Sequence, residues 1–484
     1  MRLLNNQIGS KRNFLMLIVI FSIISITNIL TISSVTNVVM TIPQILIVLL
    51  LAFRGNLDFA ILLHLTFIML GLSNMGTLGM FDNQAFVSYN YATLKLLGPI
   101  RFSYALSILL AFLCLTSGKK INKKTTFYKL FRTFLWMGIS GLLIGLIGLL
   151  LSPYYSLDGL TGPAVYIFVV IINAFLCLNI ANDNNYKIAY YLCCAAISAG
   201  ILSSLICHVV FGVTSFYGGV EIVYLADIVS FAAILFIAIP YVRSGRFIFY
   251  VVLGAYAYLS MSTASGKTIF GLLFAFACLF YILFFNKQSF ISQKKLRHVR
   301  LGIIIVAVLF VPRVISSFSS DSMTYYKIKA ASSMFSGGEM AESPYLRVAS
   351  LRNIIEKGIN NPFFLVFGNG YGGYFEDELK LFAGFDLTEG GWSDEEVSTG
   401  RFTTGHDTFV TVPLYNGLIG VILIIQLFIV YMKRLKYNWM SAMSFFWFVL
   451  KFYFNTIFAV IGLFFLFASE YQLNEDERTN YLPR

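Results

Sequence analysis

The sequence predicts an all-α protein that crosses a membrane many times and carries one long, partly helical loop outside the membrane. Hydrophobic residues make up 58% of the 484 residues and charged residues only 12%, whereas soluble domains carry about 25% charged residues. The apolar residues also fall into segments of about 20 residues, the length that a helix needs to cross the hydrocarbon core of a bilayer. Both observations indicate a polytopic membrane protein.

Twelve apolar segments are predicted to span the membrane, and a further apolar block covers 439–468. The block has 30 residues, which is long for one span and short for two. Because Lys451 and Asn455 lie in its middle, we expect a tight hairpin of two short helices and about 12–14 membrane helices in total. The twelve spans are expected at 14–33, 35–53, 57–73, 99–116, 130–151, 163–180, 188–211, 222–241, 246–262, 268–285, 299–315 and 408–432.

The distribution of charge gives the orientation. Lys and Arg concentrate in cytoplasmic loops, and 23 of the 35 Lys and Arg residues fall inside when the N-terminus is cytoplasmic. The segment 316–407 holds 13 acidic and 7 basic residues, a net charge of −6. We therefore predict a membrane bundle over 1–315, an extracytoplasmic loop over 316–407, further spans over 408–468 and a polar tail over 469–484. The net charge of +12 is explained by orientation and anionic lipid rather than by nucleic acid.

Histidine and cysteine spacing indicates no metal site. The four histidines, His64, His208, His298 and His406, are far apart in the sequence, and all six cysteines fall in apolar spans. Neither set has the spacing of metal ligands, so we expect no metal and no cofactor. His64 and His208 are expected to pack or to form hydrogen bonds inside helices.

The long loop has a regular part and an irregular part. A helix is expected near 344–360, because apolar residues recur at helical spacing and Pro344 suits a first helical turn. A glycine-rich turn follows at 368–373. Residues 376–400 are acidic and glycine-rich without an apolar period, and we expect a mobile flap there.

Polar residues at the outer membrane border are the candidate site. His406 lies between the loop and the span that begins at Thr408, and a neutral imidazole accepts a proton near pH 7. Arg347 lies near the start of the loop helix, a position that favours anions. Further cations at the outer ends of spans are Arg101, Lys267 and Arg313. The alternatives are an interfacial histidine without a catalytic role and solvated cations.

Two outer connections, at 74–98 and 152–162, are rich in Tyr, Gly and Asn. Tyrosine rings and amide groups stack on and hydrogen-bond sugars. Tyrosine also anchors a membrane protein at the headgroup level without binding any ligand. The sequence leaves both interpretations open.

Two segments of the loop resemble signatures of the bacterial O-antigen polymerase and O-antigen ligase superfamily. The first runs from Arg347 through a helix to Pro362 and then to Gly368-Asn369-Gly370. The second is His406-Asp407, followed by an apolar helix and Gly417-Leu418-Ile419-Gly420. Their order and spacing within one loop carry the resemblance.

The resemblance covers residues 345–425 by motif and the remainder of the chain by topology alone. The chain departs from the family pattern at two positions. Asp407 stands where Asn is common, and Ser265-Gly266-Lys267 stands where the family often has Ser-Arg. Lys267 in that role keeps the charge but loses the bidentate fork of an arginine.

The resemblance implies a fold similar to the multi-span GT-C glycosyltransferases and an active site on the periplasmic side of the bacterial inner membrane. It implies transfer of a glycan from a polyprenyl-pyrophosphate donor to a hydroxyl of a lipid-linked repeat unit, with no metal. His406 is then the expected catalytic base. The expected substrate contacts are Arg347, Lys267, Arg313, Arg101, Gly370 and Tyr371. The lipid-linked oligosaccharide and the bilayer are the expected partners, and a chain-length regulator is a further candidate.

Two other functions remain open from the sequence. An O-antigen ligase would transfer the finished glycan to a lipid A core. A transporter of lipid-linked sugars would use Arg101, Asp227 and Arg313 to line its path, and internal repeats would favour it. We find no such repeat, and we favour the polymerase.

Overall fold

The computed structural model describes about two-thirds of the chain. Lys267, Arg313, His406 and the predicted spans 268–285 and 299–315 lie outside the described residues. The described residues are 11–31, 36–71, 90–97, 100–118, 121, 123, 125–217, 220–223, 251–252, 254–256, 258–259, 342–385, 387–388, 392–403, 405, 408–434, 438–452 and 456–471.

The described part of the chain is built mainly from apolar helices, as the sequence predicts. Five of them are long and apolar enough to cross a membrane, and five more are shorter. In chain order the helices are α1 (Lys11–Leu30), α2 (Thr36–Phe53), α3 (Leu57–Gly71), α4 (Phe102–Thr116), α5 (Thr126–Leu151), α6 (Leu157–Asn179), α7 (Asp183–Phe211), α8 (Glu342–Asn360), α9 (Pro362–Phe367), α10 (Asp394–Thr399), α11 (Thr408–Lys433), α12 (Trp439–Lys451) and α13 (Thr456–Ala468).

Three short antiparallel strand pairs accompany the helices. They are β1 (Lys95–Leu97) with β2 (Ile100–Arg101), β3 (Thr214–Tyr217) with β4 (Val220–Val223), and β5 (Phe375–Glu376) with β6 (Arg401–Phe402). Two predicted spans were wrong at their first residues, because 100–101 and 222–223 lie in strands. In the second pair, β-branched residues face each other at Thr214–Val223, which favours strand pairing.

The C-terminal apolar block is the predicted hairpin. α12 and α13 are each 13 residues long and pack against each other. Asn438 caps α12 by accepting from the backbone N–H of Ser441 at 3.0 Å. The first helix ends at Lys451 and the second begins at Thr456, so the block forms two half-length helices, as predicted.

The polar connections of the bundle lie at two ends. At one end, Asn185 donates to Asp58 at 3.0 Å, and the Lys187 ammonium lies 5.9 Å from the Tyr471 ring centroid. The Arg434 guanidinium donates two hydrogen bonds to the Glu470 carboxylate at the same end, at 2.5 and 2.6 Å. Arg54, Lys187 and Arg434, all predicted to be cytoplasmic, therefore belong to connections at one end. The α5–α6 connection lies at the other end, where the long loop meets the bundle.

A buried histidine joins three elements inside the bundle. One ring nitrogen of His64, on α3, lies 2.8 Å from the Tyr91 hydroxyl, and the other lies 2.8 Å from Ser107 Oγ on α4. Ser107 in turn donates to the Ser103 carbonyl at 3.0 Å and lies 3.3 Å from Asn173 Oδ1 on α6. His64 is fully buried, so the prediction that it forms hydrogen bonds inside helices is confirmed.

Replacing His64 by alanine should lower the melting temperature of the detergent-solubilised protein. The substitution leaves the buried Tyr91 hydroxyl without its His64 partner, at a cost of about 1–3 kcal/mol for an unsatisfied group. It also removes one of the hydrogen bonds of Ser107. Thermal scanning measures the change. His208→Ala is the matched control, since Nδ1 of His208 finds no hydrogen-bond partner among the described residues. Equal melting temperatures for His64→Ala and the unmodified protein would contradict this account.

The long loop contains the predicted helix and several elements that the sequence did not predict. α8 begins within two residues of its expected start and ends at Asn360, as expected. Asn361 then accepts from the backbone N–H groups of Phe363 and Phe364 and so caps a new helix, α9. The prediction stopped at Pro362 because proline ends helices; here it occupies the first turn of the next one.

The acidic segment 376–400 is organised by a capped helix and an aromatic cluster. Ser393 and Glu396 form a capping box at the start of α10. Four buried rings pack together with centroids 5.0–6.3 Å apart, namely Phe375, Phe382, Trp392 and Phe402. The absence of an apolar period concealed these elements, because the rings come from separate turns and strands. The mobility of this segment stays a prediction.

Candidate functional site

The helix α11 is broken near its N-terminal third. Gly417 has φ 56° and ψ −155° inside the helix, a backbone region that is essentially restricted to glycine. A helix of this geometry loses its regular hydrogen bonding at the kink. The carbonyls of Leu414 and Tyr415, just before the kink, accept hydrogen bonds from Asn369 N–H at 2.7 Å and Gly370 N–H at 3.1 Å. The break in α11 is therefore where the long loop is attached.

The two glycine signatures of the loop meet at this break. A Cβ atom at Gly417 would lie 2.4 Å from the Gly368 backbone nitrogen, and one at Gly368 would lie 2.6 Å from the Gly417 nitrogen. Gly368 also has a glycine-restricted backbone, with φ 75° and ψ −175°. The backbones of the two segments are thus in direct contact, and neither position has room for a side chain.

A glycine-lined face of α5 receives the other side of the turn. A Cβ atom at Gly141 would lie 2.6 Å from Cζ of Tyr371, and one at Gly145 would lie 2.4 Å from the Tyr371 carbonyl oxygen. The Tyr371 N–H donates to the Gly141 carbonyl at 2.9 Å. Small residues four apart let another segment approach a membrane helix closely. Here that segment is the glycine turn, which lies between α5 and α11.

Polar side chains complete the attachment of the glycine turn. Asn416 donates to the Met137 carbonyl at 2.9 Å, and the Tyr371 hydroxyl lies 3.3 Å from the same carbonyl. The Tyr155 hydroxyl, from the α5–α6 connection, donates to the Asn369 carbonyl at 2.8 Å. Burial raises the pKa of Tyr155 to about 12, with Tyr374 adding to the effect, so this hydroxyl keeps its proton and remains a donor.

Two cations lie beside the turn. Lys357, on α8, donates to the Tyr374 carbonyl at 2.8 Å, and burial lowers the pKa of its ammonium, opposed by Glu376 and Glu378. Arg401, in β6, forms a 3.3 Å ion pair with Glu376. Neither cation is simply solvated. Both are held against aromatic rings of the same region.

Glu396, on α10, forms hydrogen bonds with Thr403, the residue that follows β6. Its Oε1 accepts from both the N–H and the hydroxyl of Thr403, at 2.8 and 2.7 Å. Burial favours the protonated form of Glu396, but hydrogen bonds from Ser393 and Thr403 outweigh burial and lower the pKa of the carboxyl. The Thr403 carbonyl then accepts from the Tyr415 hydroxyl at 2.7 Å, so this strand is attached to α11 close to the kink.

The predicted site residues have different outcomes in the structure. Gly370 and Tyr371 lie in the glycine turn, where Tyr371 is fully buried and acts as a packing anchor. Arg347 lies exposed on α8. Arg101 precedes α4, with its guanidinium 5.5 Å from the Tyr104 ring centroid, and its Nη1 finds no hydrogen-bond partner among the described residues. The roles of these four residues in binding substrate stay predictions.

The proposed base and two of the proposed cations, His406, Lys267 and Arg313, lie outside the described residues. Gly405 and Thr408, which flank the His406–Asp407 pair in the sequence, are both buried. The Thr408 hydroxyl donates to the Val449 carbonyl of α12. The described neighbours of the proposed base therefore belong to the same end of the bundle as the glycine turn.

Sequence reasoning missed the residues that attach the turn. Asn416 and the glycines of α5 contribute to the site and were not singled out. Asn369 was named only as part of the first signature, and Tyr155 was covered only as part of the tyrosine-rich connection at 152–162. One signal was available, because Gly138, Gly141, Gly145 and Gly148 recur at helical spacing. Groups that could hold a metal ion, meaning three or more His, Cys, Asp or Glu side chains, are absent from the described part of the chain.

Comparison of the chain with protein-family models, with curated proteins and with solved structures finds no match.

Replacing Gly417 by alanine should separate the turn from α11. The added methyl group would meet backbone atoms at 2.4–2.6 Å in a conformation that alanine rarely adopts, so we expect a large fall in melting temperature. Gly384→Ala tests the backbone conformation alone. Gly384 has φ +87°, but a Cβ atom there would have no neighbour within 4 Å. The substitution should therefore cost only about 1–2 kcal/mol.

Gly162→Ala completes the comparison, because a Cβ atom at Gly162 has no neighbour within 4 Å. We expect its melting temperature to equal that of the unmodified protein. The order of destabilisation should be Gly417→Ala, then Gly384→Ala, then Gly162→Ala. A Gly417→Ala protein as stable as the Gly162→Ala protein would show that the close contact is not needed.

Proposed function

We propose that the chain is a membrane glycosyltransferase, a polysaccharide polymerase that uses a polyprenyl-pyrophosphate-linked glycan as donor. One observation supports this most strongly. The two segments that resemble the O-antigen polymerase and ligase signatures, around Gly368 and Gly417, are in backbone contact at a broken membrane helix. Broken helices at membrane depth are tolerated where the backbone is buried in protein or lines a cavity, and in transporters they build the substrate site.

The proposed reaction is a substitution at the anomeric carbon of the donor sugar. A hydroxyl oxygen of the acceptor repeat unit forms the new C–O bond, and its proton passes to the imidazole of His406. The bond from the anomeric carbon to pyrophosphate breaks, and the electron pair leaves with the lipid pyrophosphate. Arg347 and Lys267, with Arg101 and Arg313 as additional contacts, stabilise the charge that develops there.

The proposed site faces the periplasm from the bacterial inner membrane. The partition of charge supports this orientation, since the connections at the opposite end carry Arg54, Lys187, Lys433 and Arg434, and positive residues favour the cytoplasm. The donor and the acceptor are both lipid-linked, so their tails remain in the bilayer while their sugars reach the loop.

Substituting the proposed base and the proposed anion contact tests the assignment. In a strain that lacks the gene, His406→Ala and Arg347→Ala should each fail to restore long-chain polysaccharide. Loss of a general base typically lowers the rate about 10²–10⁴-fold, so we expect single repeat units in place of polymer. Arg352→Ala is the matched control, because Arg352 is an exposed arginine on the same helix.

The accumulated product separates the polymerase from the ligase. Loss of a polymerase leaves single repeats on lipid A, whereas loss of a ligase leaves long chains on the polyprenyl carrier. Long-chain polysaccharide at the normal level in both variants would overturn the proposed site. Transfer by the purified protein in detergent would exclude a role limited to transport.

A further inference from the structure

Three tyrosines and an arginine form a surface next to the glycine turn. Tyr154 and Tyr155 come from the α5–α6 connection, and Tyr374 and Arg401 come from the long loop. We call these four residues the tyrosine–arginine platform. None of them belongs to the proposed catalytic set.

The platform combines aromatic surface with planar hydrogen-bond donors. The Arg401 guanidinium carbon lies 3.6 Å from the Tyr154 ring centroid and 5.5 Å from that of Tyr374. The two tyrosine rings are edge to face, with centroids 6.3 Å apart and planes at 87°. Tyr154 is 55% exposed, and the Arg401 side chain is 31% exposed. The platform is therefore accessible and is held in a defined geometry.

The platform is attached to the glycine turn through Asn369. The Tyr155 hydroxyl donates to the Asn369 carbonyl at 2.8 Å, and the Asn369 side chain donates to the Tyr374 carbonyl at 2.7 Å. The same carbonyl accepts from Lys357 at 2.8 Å, whose ammonium lies 4.4 Å from the Tyr374 ring centroid. A ligand on the platform would consequently lie beside the turn that joins the two signature segments.

The chemistry of these side chains fits a carbohydrate. The apolar faces of pyranose rings pack on aromatic rings, and sugar hydroxyls accept hydrogen bonds from a guanidinium. Neighbouring carboxylates such as Glu376, which pairs with Arg401, accept hydrogen bonds from sugar hydroxyls in turn. Tyrosine and arginine are also among the residues that most often dominate binding surfaces. Tyrosine offers a large contact area with few rotatable bonds, and arginine offers a planar array of donors.

The charge of the loop restricts the kind of carbohydrate. The loop carries 13 acidic and 7 basic residues. Three of the acidic residues, Glu376, Asp377 and Glu378, lie two to four positions after Tyr374. Such a surface repels a polyanionic glycan and also an anionic lipid surface. An uncharged glycan meets no such repulsion.

We propose that the tyrosine–arginine platform binds uncharged sugar residues of the lipid-linked glycan. This inference rests on the proposed function for the identity of the glycan, but not for the existence of the binding surface. The platform holds the sugars while the pyrophosphate end of the substrate reaches the membrane border, where His406 is proposed to act.

Saturation-transfer NMR on the full-length protein in nanodiscs tests the proposal. The probe is the oligosaccharide released by mild acid from the polyprenyl-linked pool of the source organism. We expect transfer to the sugar protons and about a tenfold higher Kd for Tyr154→Ala and for Arg401→Gln. Tenfold corresponds to about 1.4 kcal/mol, the upper part of the range for an aromatic contact.

Two control variants keep the test specific. Tyr154→Phe retains the ring and should bind within about twofold of the unmodified protein. Tyr258→Ala removes a tyrosine that is 46% exposed elsewhere and should not change the Kd. Absence of transfer to the unmodified protein, or an unchanged Kd for both Tyr154→Ala and Arg401→Gln, would overturn the proposal.

Further outcomes separate this proposal from its alternatives. A lower melting temperature of Tyr154→Ala in nanodiscs with an unchanged glycan Kd would show that the tyrosine stabilises the protein at the headgroup level, and would also overturn the proposal. His406→Ala should bind the oligosaccharide as tightly as the unmodified protein. If the His406→Ala strain still makes polymer while Tyr154→Ala weakens glycan binding, the platform stands and the catalytic assignment fails.

Discussion

The whole arrangement depends on a contact between two backbones. Gly368 in the loop and Gly417 in α11 approach so closely that a methyl group on either would overlap the other segment. Both adopt conformations that are essentially closed to other residues. This contact lets a polar turn enter an apolar bundle with its N–H groups paired, because the broken helix supplies carbonyls at the point of entry.

That constraint explains why the polar groups of the long loop meet the bundle at one place. An unpaired backbone group costs several kcal/mol in hydrocarbon. A loop can therefore enter the bundle only where carbonyls and hydroxyls are placed to pair with its backbone. Leu414, Tyr415 and Gly141 supply the carbonyls, and Tyr155 supplies a hydroxyl. The aromatic rings and cations of the loop are then carried to the same place, and so are the neighbours of the proposed base.

The sequence predicted the elements that have a periodic or apolar pattern within one segment. It missed the elements that depend on contacts between distant segments. The apolar helices, the α12–α13 hairpin and the loop helix α8 follow from period and length, since each pattern lies within a single segment. The role of Gly417 was not predictable in the same way. A glycine in an apolar helix is compatible with a straight helix, a packing face or a break, and only the partner at Gly368 decides among them.

The candidate site shows the same division. The signature glycines were identified from their spacing, but not their contact with each other. Arg401 was overlooked because its partner Tyr154 lies in a distant connection, and a single sequence gives no information on such pairs. The α10 helix and its aromatic cluster were missed for a related reason, as their rings come from turns without a period.

Hydrogen exchange of the backbone amides tests the central contact most directly. In the unmodified protein, the N–H groups of Asn369, Gly370 and Tyr371 are bonded to the carbonyls of Leu414, Tyr415 and Gly141. We therefore predict that these three amides exchange as slowly as the amides in the middle of α5. Exchange of all three at the rate of solvent-exposed, unbonded amides would show that the turn is not held in the bundle, and would contradict the account.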